Sequence, residues 1–229
     1  MTEESPTNRP PGEPSSPSVS LRDVVGRHIT VLQGGYLGDR PEAVATLAKL
    51  RRGAGRPVGV VPELWGLSVP EELYEAAEKR KDGLPALTVE QAEEAAHLAI
   101  TLWATHQQSH REKMHLAEGR ELGAAVRMLA GKDGRARESV LKRFVRVGTA
   151  TSLSVLAQRL RDIVTLLRRD AIALDYGLLA EQLYHWQKPG GPQRVRRSWG
   201  RSFHAHRVRE DTQNGPNSDA DGSAGSADD

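Results

Sequence analysis

The sequence predicts an all-α protein, an elongated helical bundle of about eight to nine helices in two packed halves with disordered termini. Two observations carry this expectation, and a third bounds the chemistry. Between the two ends the apolar residues recur at spacings of three and four and scarcely ever alternate, which is the period of a helix and not of a strand. Five prolines and five serines among the first 20 residues, and GPNSDADGSAGSADD at the other end, cannot bury enough apolar area to offset chain entropy. The 229 residues contain no cysteine, which removes disulfides and thiolate metal sites. The expected organisation is a Pro/Ser-rich tail over 1–20, an N-terminal helical half over 21–110, a basic C-terminal bundle over 111–206 and an acidic tail over 207–229. The leading segment lacks the basic start and apolar run of a signal peptide, and no stretch approaches the length of a membrane span, so a cytoplasmic protein without a membrane partner is expected.

In chain order, Ser20 with Asp23 three positions on forms a short capping box that opens a first helix, expected to end at Gly34, Gly35 and Gly38. Asp39, Pro41 and Glu42 mark a second start, and Val44, Leu47, Ala48 and Leu50 give that helix its inner face. Residues 54–70 hold three prolines and three glycines and read as an ordered loop anchored by Trp65. Thr88 with Gln91 at the capping-box position opens a helix whose Ala92, Ala96, Ala99, Leu102, Trp103 and His106 share a face. Leu153, Leu156, Leu160, Ile163, Leu167 and Ala171 form the stripe of a long helix. Asp175 caps another, carrying Tyr176, Leu179, Leu183 and Trp186, which KPGGP stops. In the last helix Val195, Trp199 and Phe203 lie inward and Arg194, Arg196, Arg197 and Arg201 spread around the rest.

The net charge of +2 conceals a strong division. The first 20 residues carry −2 and residues 210–229 carry −6, so the part expected to fold holds 31 basic and 21 acidic residues. Residues 21–110 sum to −2, 111–169 to +8, 170–187 to −3 and 188–209 to +7, the last without one acid. Such a concentration attracts polyanions and suits phosphate contacts whose affinity falls with salt.

Signatures of chemistry are missing. His106 and His110 have the spacing of two metal ligands on one helix, with His115 nearby, but Gln107 occupies the position where a metalloprotease needs its Glu. Gly34, Gly35 and Gly38 follow no strand and precede no Lys-Ser or Lys-Thr, so they do not make a phosphate loop. No catalytic residue, metal ligand or cofactor is assigned.

The basic half becomes more specific once it is placed on helices. Lys142 and Arg146 are one turn apart, Arg161 and Arg168 two turns apart, and Arg143, Arg159 and Arg169 widen the rows. Val140, Leu141, Phe144, Leu160 and Leu167 face the core, which sends the cations outward. Aromatics are 4% of the chain, and Trp103, Trp186 and Trp199 sit on apolar stripes. Rows of cations without free aromatic faces track a backbone and do not stack bases. Two other classes fit the same residues: a free-standing helix-turn-helix regulator, for which 121–147 is the candidate segment, and a scaffold for an acidic protein partner.

From about Leu87 to Phe203 the ordered segments LAITLWATHQQS, LGAAVRML, ESVLKRFVRV, LAQRLRDIVTLLRRDAIALDYGLLAEQLYHWQ and RVRRSWGRSF resemble the CasB family, the small subunit of the type I-E CRISPR surveillance complex called Cascade. LDYGLLAEQLYHW followed by VRRSWGRSF is the most telling part. Residues 21–86 match more loosely, and Ala124 stands where relatives often place a base. The resemblance implies a non-enzymatic helical subunit, present in two copies. It would brace guide RNA and target duplex, hold the displaced non-target DNA strand, and contact other Cascade subunits, especially the repeated backbone subunit. It carries Lys142, Arg143, Arg146, Arg159, Arg161, Arg168 and Arg169 over as nucleic-acid contacts, and adds Arg120 and Arg127.

Overall fold

Helix α1 (Leu21–Leu37) starts on the expected capping box: the Ser20 hydroxyl accepts from the Asp23 N–H at 3.1 Å, and the Asp23 carboxylate accepts from the Ser20 N–H at 3.3 Å. The computed structural model describes residues 20–64, 66–78, 88–131 and 135–213. After α1 come α2 (Pro41–Leu50), α3 (Glu72–Glu78), α4 (Val89–Gln107), α5 (Leu122–Ala130), α6 (Arg135–Gly148), α7 (Leu153–Arg169), α8 (Tyr176–Trp186) and α9 (Gly191–Gln213). Short 3-10 turns form at Arg51–Gly53 and Pro62–Leu64. Among the described residues there is no strand, only one isolated bridge between His115 and Leu174. The all-α expectation holds. Of the expected tails, 1–19 and 214–229 lie outside the described residues, and 207–213 continue α9 as helix.

The centre of the fold is α4. Thirteen of its nineteen residues are buried, on every side, because it packs against α1, α2, α3, α7 and α8. Its run of alanines lets neighbouring helices approach closely. Helices α1 and α8 cross extensively, and α5 lies along α9. A single apolar cluster therefore runs from Val25 and Ile29 through Trp103 to Leu160, Leu183 and Trp199, joining both halves. Buried Gln33 stitches this junction: its side-chain oxygen accepts from the His115 N–H at 2.8 Å and the Trp103 indole at 3.3 Å, while its amide donates to the His115 carbonyl at 3.0 Å. Each of its polar groups is thereby satisfied inside the core.

Several local expectations need correction, each for a tertiary reason. Helix α1 does not end at Gly34 and Gly35 but continues to Leu37. A side chain at Gly35 would come within 2.8 Å of the Ala43 Cβ, so this glycine serves the α1–α2 crossing. Asp39 does not cap α2; the N-cap is Arg40, with Pro41 at the first turn, and the Asp39 carboxylate instead receives Arg111 at 2.7 and 2.8 Å. The Thr88–Gln91 capping box is not made. The Thr88 N–H donates to the Tyr184 hydroxyl, and the Gln91 amide turns to the carbonyl of Gln187 at the end of α8. Ala171 lies beyond the end of α7 at φ +51° and is exposed, so the apolar stripe stops at Leu167. Trp65 lies outside the described residues, while its neighbours Leu64 and Ser68 are buried. By contrast, Asp175 caps α8 as expected, accepting from the Leu178 N–H at 2.9 Å, and Ser152 caps α7.

Candidate nucleic-acid interface

The placement of the cations follows from which side of each helix is apolar. On α7, Leu156, Leu160, Ile163 and Leu167 are fully buried, which leaves Arg161 and Arg169 exposed and Arg159 and Arg168 half-buried. On α6, Val140 and Val147 are buried and Leu141 and Phe144 half-buried, so Lys142, Arg143 and Arg146 point to solvent. Arg159 joins the two helices: its guanidinium donates to the Arg146 carbonyl and, at 3.3 Å, to the Thr149 hydroxyl. A cation placed on the orphan carbonyls of the last turn of α6 is favoured there. The same cross-link brings Arg146 and Arg159 into one patch. Arg196 of α9 reaches its border, donating to the Ala150 carbonyl at 2.9 Å while lying over the Trp186 ring.

The remaining predicted residues differ in how firmly they are held. Lys142 pairs with Glu138 at 2.7 Å, both about 70% exposed, a bond worth a few tenths of a kcal/mol that a phosphate can displace. Arg143 donates to Ser139, and Arg169 grips Asp170 through two bonds at 2.6 and 3.2 Å. Arg161 has no ion pair or side-chain hydrogen bond among the described residues. Arg168 is fixed at both ends: its Nε donates to the Gln108 carbonyl at 3.0 Å, and its own carbonyl accepts from His110 at 2.8 Å. Arg120 is half-buried, and its carbonyl receives the Asp175 N–H. Arg127 does not belong with the exposed rows. It is 7% exposed, inside the α5–α9 packing, with its guanidinium 5.8 Å from the Phe203 ring centre.

Lys49, Arg51, Arg52 and Arg56 do not stand out in the segment sums. They fall in the half whose charge sums to −2, yet no acid lies between Glu42 and Glu63. The structure sets this stretch beside α7, where the Gln158 amide donates to the Gly55 carbonyl at 2.5 Å. A running charge over twenty residues would have exposed it.

The three histidines considered as metal ligands are engaged elsewhere. His106 meets the Tyr176 hydroxyl at 2.8 Å, His110 the Arg168 carbonyl, and His115 accepts from the Tyr176 N–H at 3.1 Å. Burial, with His110 and Arg168 close by, pulls His106 down to about 3, and burial also lowers His97 and His115. Gln107 is a buried tether, donating to the carbonyls of His110 and Glu112 and accepting from the Met114 N–H. Among the described residues no three His, Asp or Glu side chains converge to hold a metal, and no helix is long and apolar enough to cross a membrane.

Comparison with known proteins places these observations in a family. The model of the CRISPR-associated protein Cse2 family matches residues 46–204. The crystal structure of CasB from Thermobifida fusca is similar over 80% of this chain and 97% of its own, at 49% identity and a TM-score of 0.68. The crystal structure of M. ruber CasB is similar over 86% of this chain and 99% of its own, at 25% identity and a TM-score of 0.59. A chain from a CRISPR RNA-guided surveillance complex shares the fold at 21% identity and a TM-score of 0.60, over 82% of this chain and 98% of its own. No curated protein matches. The chain belongs to the Cse2 family of CRISPR-associated proteins, which includes CasB.

Proposed function

We propose that this chain is the non-catalytic small subunit of a type I-E Cascade complex, present there in two copies, and that it holds guide RNA, target duplex and displaced strand by their backbones whatever their sequence. The observation that carries the reading is the cross-linked patch on α6 and α7: exposed cations on helices whose opposite faces are buried, tied together by Arg159. Trp103, Trp186 and Trp199 are 5% exposed or less, so they offer no faces for stacking bases. A strand whose sequence changes with every target has to be held by its phosphates, because the pairing guide supplies the specificity. Cleavage then belongs to another protein. The family membership, and the fold shared with a chain of a surveillance complex, support the same assembly.

Co-expression of this chain with the neighbouring reading frames, followed by purification, tests the proposal. The chain is expected in a large particle containing a short RNA. A chain that elutes alone and free of RNA, with the other subunits assembled without it, contradicts the reading.

A further inference from the structure

The loop after α2 is held far more tightly than a connection of this composition requires. Gly53 sits so close to α4 that a side chain there would come 2.4 Å from Leu64 Cδ1 and 2.9 Å from Thr101 Cγ2. Two residues on, Gly55 adopts φ +77° and gives its carbonyl to Gln158 of α7. The carbonyl of Arg56 is taken by buried His97 at 3.1 Å. A carbonyl only accepts, so Nε2 of His97 carries the proton, and Nδ1 meets the Ser68 hydroxyl 2.8 Å away. Burial keeps that imidazole neutral.

What this anchored backbone displays is charge. Lys49 and Arg56 are exposed and Arg51 half-buried, and none of the three has an ion pair among the described residues. Arg52 alone is paired, with Glu63 at 2.7 Å, both more than half exposed. Arg161, the unpaired cation of α7, lies against the loop, its Cδ 3.4 Å from the place a Cβ on Gly55 would occupy. Like charges gathered on a rigid support repel unless an anion joins them. A single-stranded backbone supplies such anions at regular spacing, and a loop fixed beforehand binds it at lower entropic cost.

Resting on the reading that the chain holds nucleic-acid backbones, we infer that the Lys49–Arg56 loop and Arg161 form one phosphate-binding site for a single strand. It carries the basic track out of the C-terminal bundle and onto the N-terminal half. The site is a clamp: the last turn of α2 brings Lys49, the loop after it Arg51 and Arg56, α7 brings Arg161, and the Gln158–Gly55 bond sets the gap between loop and α7.

The test uses the full chain and a fluorescent single-stranded DNA of about 40 nucleotides of mixed sequence, titrated over a salt series. Arg51→Ser with Arg56→Ser should weaken binding roughly tenfold at moderate salt and lower the salt slope by about 1.4, the value for two lost contacts to a single strand. Gln158→Ala leaves every charge in place and should weaken binding about threefold through the loosened loop, with the slope nearly unchanged. If the arginine pair binds like the wild type while Arg161→Ala does not, the clamp is wrong and the proposed function stands. If Arg161→Ala is also without effect, the proposed function loses its α7 track. Equal affinity of Gln158→Ala and wild type overturns the role of the anchored loop.

Discussion

Arg127 and Arg161 are both arginines of the C-terminal half, and the structure gives them opposite surroundings, one buried and one exposed. Arg127 lies under α9 against Phe203, where its methylenes and guanidinium fill space. Arg127→Ala should cost about 1–3 kcal/mol in urea unfolding and leave the salt slope of nucleic-acid binding unchanged. A lower slope with intact stability would return it to the binding surface. Arg161→Ala with Arg168→Ala should behave the other way, reducing the slope by about 0.7 per lost single-strand contact for every sequence tested; an unchanged slope would remove both from the binding surface. His106 adds a pH dependence. Its folded value is lowered to about 3 from an ordinary 6.5, so above pH 6.5 the neutral form prevails both folded and unfolded and stability is at its full value. Below 6.5 the unfolded chain takes up a proton that the folded one refuses, and stability falls by up to about 1.4 kcal/mol per pH unit from this group. Urea midpoints measured down the pH scale should show His106→Gln with a shallower decline than wild type; identical declines would contradict that assignment.

At the level of elements, α5 packs tightly along α9. A Cβ on Gly123 would fall 1.9 Å from the Trp199 carbonyl oxygen and 2.3 Å from the Ser202 hydroxyl, so Gly123→Ala has to push the helices apart. The expected loss is about 1–3 kcal/mol, read as a lower thermal midpoint; an unchanged midpoint would mean that the crossing is looser than it looks. What could be read in the sequence separates cleanly at this scale. Caps closed within three residues, Ser20 with Asp23 and Asp175 with Leu178, were legible, as were the stripes of α7, α8 and α9, because each depends on neighbours along one helix. The failures depend on distant partners. Asp39 is claimed by Arg111, Gln91 by Gln187 and Gly35 by Ala43, and no local pattern announces any of them. The candidate site divides in the same way. The exposed cations of α6 and α7 follow from helical spacing, whereas the burial of Arg127 comes from α9, and the Lys49–Arg56 loop vanished into a sum dominated by the acids of α3 and α4.

For the molecule as a whole, one core through α4 joins the N-terminal half to the basic bundle, so cations on both halves are carried by a common support. That support matters more than net charge. The whole chain carries only +2, while residues 21–209 hold ten more basic than acidic residues. On the proposed reading, a common support with exposed cations and with Trp103, Trp186 and Trp199 buried holds a strand without reading it. Such a surface should bind with indifference to sequence and dependence on salt. Binding of the full chain to two single strands of equal length and unrelated sequence, followed over a salt series, tests it most directly. Equal affinities at every salt concentration, falling along one common slope, are predicted. A clear preference for one sequence, or affinity that does not change with salt, would contradict it.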